Sequence, residues 1–360
     1  MLNKEVLSDK QGISIISLFI IGSSIVLATA GEAKKDLWIA IILSIISAIP
    51  IVLVHSSLLV LFPGKDLYDI LEIVFGKFVG KGISILFIWF TFFLGGLVLR
   101  LFGDFIFIVS LQNTPKIISM LFIGVLCIWA VKEGVETIGR WGEFFLIVTI
   151  VLILIFILLL INKMNINNIR PMLAEGIKPI IEGTFHTFIF PFTQTIVFTT
   201  FFSSIKVKKV HKVYILGLLI GGIILYVSSI ADLLVLGAGT VENMYFPTYA
   251  TATRLNIGNF GERLEVVIAV TLLIGGFIKV CICLLGTCTG VAKIFGFKDY
   301  KFIATPIGLL IINLSYFIHN SVMEKAEFAS DIYPGYAFLF QVILPIIIFI
   351  GAKIKKKQLH

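Results

Sequence analysis

Charged side chains inside apolar runs are the residues of this sequence best placed to do chemistry. Lys279 lies near the middle of one such run, and Arg100 and Asp104 lie four residues apart in another. A charge at the centre of a bilayer costs about 2.5 to 3.5 kcal/mol on insertion scales, so it needs a function or a partner. We expect Lys279 either to take the place of a coupling cation or to bind and release a proton. The alternative is a lysine tied to a backbone carbonyl for packing.

Arg100 and Asp104 are predicted to pair, because residues four apart share one helix face. The pair is interpreted either as a structural contact or as a gate that opens when the two side chains separate. Asp232 near the outer end of a later run, and Glu182 with His186, are weaker candidates. These three residues could simply be solvated at the membrane interface, although a histidine beside an acid can also act as a pH-sensitive gate.

Two apolar runs carry residues that interrupt helices. Gly22-Ser23-Ser24 stands near the middle of the first run, and Phe190-Pro191-Phe192 stands at the middle of the sixth. Glycine and serine weaken a helix, and proline removes a backbone donor and clashes with the preceding turn. Interrupted spans at matching positions of two inverted halves indicate a transporter binding site. Two unrelated kinks are the alternative, because membrane helices tolerate glycine and proline.

The interruptions predict a site for an amino-acid zwitterion. The start of a half-helix exposes N–H groups that suit a carboxylate, and unwound carbonyls suit an ammonium group. We assign the carboxylate to Ser23, Ser24 and the N–H of Ile25, and the ammonium to carbonyls near Ile21 and Phe190. The predicted ligand-binding residues are Gly22, Ser23, Ser24, Ile25, Phe93, Gly96, Phe190, Pro191 and Phe192, and the predicted coupling or gating residues are Lys279, Arg100 and Asp104.

The sequence carries no pattern of an enzyme. It has no glycine-rich phosphate loop, no His/Cys set with metal-ligand spacing and no nucleophile motif, so we expect no catalytic residue, cofactor or metal. The cysteines lie inside apolar runs, where they are interpreted as small packing residues. They are Cys127, Cys281, Cys283 and Cys288.

The composition is that of a membrane protein. Of 360 residues, 58% are hydrophobic and 14% are charged, against about 25% charged in soluble domains. Because a membrane helix needs about 20 apolar residues, there is material for about ten spans. A soluble enzyme, a disordered chain and a nucleic-acid binder are excluded. The net charge of +8 comes from lysines in short stretches between apolar runs, where they set topology.

We predict an all-α polytopic membrane protein with ten transmembrane helices, the first and sixth of them broken. The predicted spans are 11–30, 37–62, 82–109, 117–130, 141–161, 179–202, 213–237, 264–292, 302–319 and 336–352. Because five is odd, the sixth span enters from the side opposite to the first, and we predict that residues 1–161 and 162–352 are two inverted five-helix repeats of one membrane domain. Residues 353–360 form a basic tail.

The connecting segments carry a charge bias that sets the orientation. Lys and Arg favour the side of the termini by roughly two to one, which predicts that both termini are cytoplasmic. Ala28-Thr29-Ala30 resembles a signal-peptidase site. Cleavage after Ala30 is not expected, because Glu5 and Asp9 precede the run and the run itself carries an interruption.

Two connections are more than simple loops. Residues 63–81 have apolar positions at helical spacing, which predicts a cytoplasmic amphipathic helix against the bundle or the lipid surface. Residues 239–262 form the longest outer connection, which is either a lid over the outer mouth or an exposed loop.

Several stretches resemble the spore germination permease family, the B subunits of Ger-type nutrient germinant receptors, in the amino acid–polyamine–organocation superfamily. In chain order they are Asn113-Thr114-Pro115, Glu175-Gly176-Ile177-Lys178-Pro179, Phe190-Pro191-Phe192, and a segment from Phe246-Pro247-Thr248 through Arg254-Leu255-Asn256-Ile257-Gly258 to Glu262-Arg263-Leu264. The motifs span nearly the whole chain. Gly22-Ser23-Ser24 departs from the glycine-rich break common in the superfamily, which leaves the identity of the ligand open.

The resemblance implies a five-plus-five inverted-repeat transporter fold in the bacterial cell membrane or the inner membrane of a spore. It implies that the protein senses a small nutrient, often an amino acid, and assembles with an A subunit and a lipoprotein C subunit in contact with membrane lipid. A proton- or ion-coupled amino-acid transporter is the alternative function, and a scaffold without a ligand is a third.

Overall fold

Helices make up the ordered elements throughout the part of the chain that the structure, a computed structural model, describes, residues 6–254 and 265–359. The α-helices are α1 Asp9–Ile21, α2 Leu37–Leu61, α3 Leu67–Val109, α4 Lys116–Glu133, α5 Val135–Leu160, α6 Lys178–Ile189, α7 Val210–Leu236, α8 Ala238–Asn243, α9 Pro247–Thr253, α10 Glu265–Phe295, α11 Ala304–Phe317, α12 Val322–Glu327, α13 Tyr333–Phe338 and α14 Leu344–Leu359. Short 3-10 segments connect several of them, chiefly Ser23–Val26, Gly31–Asp36, Ile166–Ile169 and Phe192–Thr200.

Seven helical segments within residues 6–254 and 265–359 are long and apolar enough to cross a membrane. Segment 301–317 is shorter but also apolar, and α4 has 18 residues. Many of the side chains that α4 and α5 turn outward are apolar, for example Trp129, Ile147 (64% exposed) and Leu158. So large an apolar outer surface suits a lipid environment and not water. The chain is therefore a multi-pass membrane protein, whereas the number of ten crossings and the division at residue 161 stay predictions.

The first transmembrane helix lies at the centre of the bundle. In the most apolar stretch of residues 9–26, 83% of the residues are buried, against 28% in the corresponding stretch of residues 135–163. Glycines of α7 let the backbones approach closely, because a Cβ on Gly217 or Gly221 would lie under 3.0 Å from Ile16 or Ile20. Small residues at such contacts are the usual means of packing membrane helices tightly. Helix α1 is consequently held on several sides while lipid is kept away from it.

The predicted amphipathic helix at 63–81 is the first part of α3, separated from the rest by a kink at Gly76 (φ 80°). It lies against the bundle. The hydroxyl of Tyr68 donates to the carbonyl of Gly286 (2.9 Å), and Lys293 pairs with Asp66 (3.3 Å) and Asp69 (2.5 Å). These contacts fasten the start of α3 to the last turns of α10.

Candidate ligand-binding site

The α-helical hydrogen bonding of the first span stops at Gly22. Helix α1 ends at Ile21, Gly22 has φ −2° and ψ −110°, and a 3-10 segment runs over Ser23–Val26. A Cβ on Gly22 would lie 3.1 Å from the carbonyl oxygens of Gly275 and Phe19. The close approach of these backbone atoms therefore leaves little room for a side chain at this position.

A second stop lies in the sixth predicted span. Helix α6 ends at Ile189, Phe190 is extended (φ −129°, ψ 109°), and a buried 3-10 segment follows from Phe192 to Thr200. Pro191 has no N–H to continue the helix. The hydroxyl oxygen of Thr193 lies 3.0 Å from the carbonyl oxygen of Phe188.

Helix α10 crosses the chain where both helices stop. A Cβ on Gly275 would lie 2.7 Å from the Cα of Gly22, so the two backbones touch. One turn further, Lys279 is 0% exposed, and its Nζ lies 4.9 Å from the ring centroid of Phe19 and 4.6 Å from that of Phe190. Both contacts are cation–π interactions. Lys279 Nζ has no hydrogen-bond partner within residues 6–254 and 265–359, so the alternative of a fixed carbonyl partner is not observed there.

A cavity of about 360 Å³ lies on the predicted outer side of the two stops. It touches the first stop through Ser23 and the second through Phe190. Its other walls are mostly apolar, formed by Leu27, Ala28, Thr29, Ala30, Glu32, Leu94, Leu97, Val98, Leu101, His186, Thr187, Ile189, Met244, Tyr245, Lys325, Ala326, Phe328, Ala329, Ser330, Tyr333 and Pro334. Lys279 does not line the cavity but contacts the Phe190 ring that does.

The predicted wall on α3 needs correction. Phe93 packs against Trp89 (5.7 Å between ring centroids) and Phe328, and Gly96 faces Leu314. Neither lines the cavity, whose α3 wall is formed by Leu94, Leu97, Val98 and Leu101. The hydropathy of α3 does not set its rotation about its own axis, because apolar residues cover all of its faces.

The other predicted ligand residues pack beside the cavity. Gly22, Ser24, Ile25, Pro191 and Phe192 are buried and do not line it. The hydroxyls of Ser23 and Ser24 are buried, and neither has a hydrogen-bond partner in the described part of the chain. Of these two polar side chains, Ser23 is the one that borders the cavity.

The predicted pair of Arg100 and Asp104 is part of a larger cluster. Asp104 is buried and accepts from Arg100 Nε (3.2 Å), Lys116 Nζ (2.9 Å) and Lys325 Nζ (3.1 Å). Arg100 also donates to the carbonyl of Tyr316 (2.9 Å). Because three cations surround one carboxylate, the cluster has an excess of positive charge. Lys325, one of these cations, lines the cavity.

A carboxylate lines the same cavity. His186 Nδ1 lies 2.6 Å from Glu32 Oε1, and both residues border the cavity. Glu182 pairs with Lys178 (3.7 Å) instead. The predicted association of Glu182 with His186 is therefore replaced by a contact between the outer ends of the first and sixth spans.

Sequence reasoning missed a buried polar network below the cavity. Thr193 donates to Gln341 Oε1 (2.6 Å), Gln194 donates to the Tyr333 hydroxyl (2.6 Å), and His55 Nε2 lies 2.8 Å from the carbonyl of Gln341. The signal was the polar run Thr193-Gln194-Thr195 inside an apolar stretch. The network joins the inner half of the sixth span to the last helical segment.

The four cysteines are free and buried, and the described residues contain no group of three metal-ligating side chains.

Comparisons with known proteins agree with this architecture. The family model described as "Spore germination protein" matches residues 6–322. Spore germination protein KB of Bacillus subtilis (strain 168) is 28% identical over 99% of this chain and 97% of its own length. Spore germination protein A2 of the same organism is 27% identical over 98% of this chain and 96% of its own length.

Solved transporters share the fold. Mhp1, a nucleobase-cation-symport-1 family transporter with bromovinylhydantoin bound, superposes with a TM-score of 0.68 at 13% identity, covering 99% of this chain and 92% of its own. MhsT in complex with L-phenylalanine superposes with a TM-score of 0.66 at 13% identity, covering 98% and 100%. The predicted transporter fold is thereby confirmed, and with the family match across 6–322 this chain belongs to the spore germination permease family.

Proposed function

We propose that this chain is the B subunit of a nutrient germinant receptor and that it binds a small amino acid in the cavity bordered by Ser23 and Phe190. The observation that carries the proposal is that one cavity meets both stops and carries opposite charges on its walls. Relatives named as spore germination proteins support the receptor role.

The electrostatics of the cavity suit a zwitterion. Ser23 begins a four-residue 3-10 turn, whose first N–H groups lack acceptors within the turn and can donate to a carboxylate. Lys325 adds positive charge to the same cavity. The last turn of α6, which reaches the cavity at Thr187 and Ile189, offers carbonyls, and Glu32 offers a carboxylate, both suited to an ammonium group.

The size and the walls of the cavity limit the ligand. A volume of about 360 Å³ is near the lower end of small-molecule pockets, which run from about 300 to 1,000 Å³. Leu94, Leu97 and Val98 provide an apolar wall for a side chain. We therefore expect a small, apolar amino acid in preference to a charged one.

Signalling requires that the ligand bind one arrangement of the two helices better than another, because an equal affinity for both shifts nothing. A ligand held between Ser23 and Phe190 meets this condition, because it contacts both helical segments and its contacts change when one segment moves relative to the other. Lys279 contacts the Phe190 ring and therefore responds to movement of that ring. We place the protein in the spore inner membrane with both termini in the cytoplasm, where it assembles with A and C subunits.

A proton- or ion-coupled amino-acid transporter is the second candidate. The buried Lys279 between Phe19 and Phe190 favours it, because a titratable cation at this position suits ion coupling. Uptake of labelled amino acids into proteoliposomes separates the two functions. A receptor binds the amino acid without accumulating it, and a transporter accumulates it.

The proposal is tested on spores that carry the chain, lack it, or carry a cavity variant. Leu97→Trp places an indole in the cavity, and Ile85→Trp, at a position that is 55% exposed on the same helix, is the control. In a panel of amino acids, we expect one or more that trigger germination only when the chain is present. Leu97→Trp should abolish that response at normal protein abundance, while Ile85→Trp keeps it.

Two results would refute the proposal. One is normal germination on every nutrient in spores that lack the chain. The other is an unchanged response in Leu97→Trp. Binding to the purified chain provides an independent check, since the des-amino and decarboxylated analogues of the active amino acid should each fail to raise its melting temperature.

A further inference from the structure

Asp232 is a buried acid for which the proposed ligand site has no use. It lies in the last turns of α7 and is 3% exposed, so its side chain is enclosed by protein. The hydroxyl oxygen of Thr248 in α9 lies 2.5 Å from Asp232 Oδ2 and 2.6 Å from the carbonyl oxygen of Ile25. Ile25 belongs to the 3-10 segment that follows the first stop.

The Thr248 hydroxyl has fewer hydrogens than it has short contacts. The Thr248 hydroxyl has one hydrogen, but it lies within hydrogen-bond distance of two acceptors. If that hydrogen goes to the carbonyl of Ile25, the short contact with Asp232 needs a hydrogen from the acid. If it goes to Asp232 instead, two oxygens that are both acceptors stand 2.6 Å apart. A single extra proton on Asp232 satisfies both contacts.

We propose that Asp232 is a proton-binding site whose O–H donates to the Thr248 hydroxyl, which in turn donates to the carbonyl of Ile25. The inference deepens the proposed function, because it names the ion that the outer half of the first span senses. Only the role of this proton site rests on the proposed function. The chain of bonds joins α7, α9 and the segment that begins at Ser23.

The distances favour a proton over a metal ion. Oxygens bridged by O–H···O bonds lie about 2.5 to 3.0 Å apart. Both contacts of Thr248 fall at the short end of this range. Oxygens that coordinate a sodium ion stand further apart, because the ion has to fit between them. Asp232 Oδ1 has no hydrogen-bond partner in the described part of the chain, which a neutral acid tolerates better than a carboxylate does.

Other charged groups do not supply the missing hydrogen. The titratable side chains on α7, on the elements packed around this site and on the adjoining connections are Asp9, Lys10, His55, Glu136, Arg140, Glu143, Arg170, Lys208, Lys209, His211, Lys212, Tyr214, Tyr226, Glu242, Tyr245, Tyr249, Glu265, Lys279, Cys281, Cys283, Cys288 and Lys293. Within residues 6–254 and 265–359, none of them makes a hydrogen bond or ion pair with Asp232. Thr251 is also near in α9, but its hydroxyl donates to the carbonyl of Pro247 (3.0 Å).

Release of the proton would rearrange the chain of bonds. The proton leaves to the aqueous phase, and Asp232 becomes a carboxylate that draws the hydrogen of Thr248 to itself. The carbonyl of Ile25 then loses its donor. The segment Ser23–Val26, which borders the ligand cavity at Ser23, is thereby linked to the proton occupancy of Asp232.

Infrared difference spectroscopy on the purified full-length chain in lipid nanodiscs tests the inference without any nutrient. A protonated carboxylic acid has a C=O stretching band that a carboxylate lacks, so the probe is the proton itself, supplied by a pH titration. We expect this band in the wild type and its disappearance as the pH is raised. The band should be absent in Asp232→Asn and shifted upward in Thr248→Val, which removes the acceptor of the acid's hydrogen bond.

Asp331→Asn is the matched control, because Asp331 is an exposed acid that also accepts from a hydroxyl, that of Ser330 (2.7 Å). It should leave the band unchanged. The inference is overturned if the band is absent at every pH, persists in Asp232→Asn, or responds to sodium and not to pH. If Asp232→Asn does not fold, the shift in Thr248→Val decides alone, and an unshifted band overturns the inference. A failed nutrient response with a normal band would instead count against the proposed function.

Discussion

Replacing Lys325 by glutamine tests whether the positive charge on the cavity wall binds the carboxylate of the ligand. Lys325 Nζ pairs with Asp104 Oδ2 at 3.1 Å, and Asp104 keeps Arg100 and Lys116 when Lys325 is neutralised. The fold is therefore expected to survive. A hydrogen bond to a charged group contributes about 1.5 to 3 kcal/mol, which converts to about a 10- to 150-fold loss of affinity at 1.4 kcal/mol per tenfold.

Lys116→Gln is the matched control. Lys116 pairs with the other oxygen of the same carboxylate at 2.9 Å but does not line the cavity. Because Lys116 makes no contact with the cavity, its replacement removes no contact with the ligand, and the affinity should stay close to that of the wild type. The difference in affinity loss between the two variants separates the effect of a charge on the cavity wall from the effect of weakening the ion pairs of Asp104.

The assay is isothermal titration of each purified variant with the amino acid that the nutrient panel identifies. Melting temperatures measured without ligand show whether the Asp104 cluster has been damaged. An unchanged affinity in Lys325→Gln, or equal losses in both variants, would refute the placement of the carboxylate near Lys325.

The remaining predictions concern the centre of the bundle and its orientation. Lys279→Met should raise the free energy of unfolding by about 1 to 4 kcal/mol, because it removes a buried charge at similar volume; thermal denaturation measures this change. The same variant should abolish the nutrient response in a germination assay. Gly275→Ala should lower the free energy of unfolding by about 1 to 3 kcal/mol, because its Cβ would lie 2.7 Å from the backbone of Gly22. A cysteine placed at Lys357 should react with an impermeant maleimide only after cells are permeabilised, and the buried native cysteines keep the background low.

Each of these has a control or a contrary result. Gly82→Ala is the control for Gly275→Ala, because nothing lies within 4 Å of its added Cβ, and it should not destabilise the protein. A destabilised Lys279→Met would show that the ammonium group has a structural role. Labelling of the cysteine at position 357 in intact cells would contradict a cytoplasmic C-terminus.

Local properties of the sequence were enough for several features. Long apolar runs require helices in a membrane, because every backbone group has to be satisfied within the segment. Gly22 and Pro191 mark the points where α-helical bonding stops, since both effects arise from the backbone of a single residue. Arg100 and Asp104 meet because four residues bring side chains onto one helix face.

Contacts between distant segments could not be predicted in this way. Lys325 reaches Asp104 across 221 residues, and Glu32 reaches His186 across 154. The sequence predicts that α3 lies beside the site, but it does not fix the rotation of α3. The structure turns Leu94, Leu97, Val98 and Leu101 toward the cavity, and not the predicted Phe93 and Gly96. The contact of Asp232 with Thr248 likewise depends on the placement of α9 against α7.

The sequence by itself thus determined that the chain spans a membrane, that α-helical bonding stops near Gly22 and Pro191, and which charges lie in apolar runs, because hydropathy and backbone chemistry are local. Only the tertiary structure decided which of those charges share a cavity, which hydroxyl stands between Asp232 and Ile25, and which face of α3 meets the ligand. These depend on the packing and rotation of helices, and in an almost uniformly apolar sequence no periodic signal encodes that rotation.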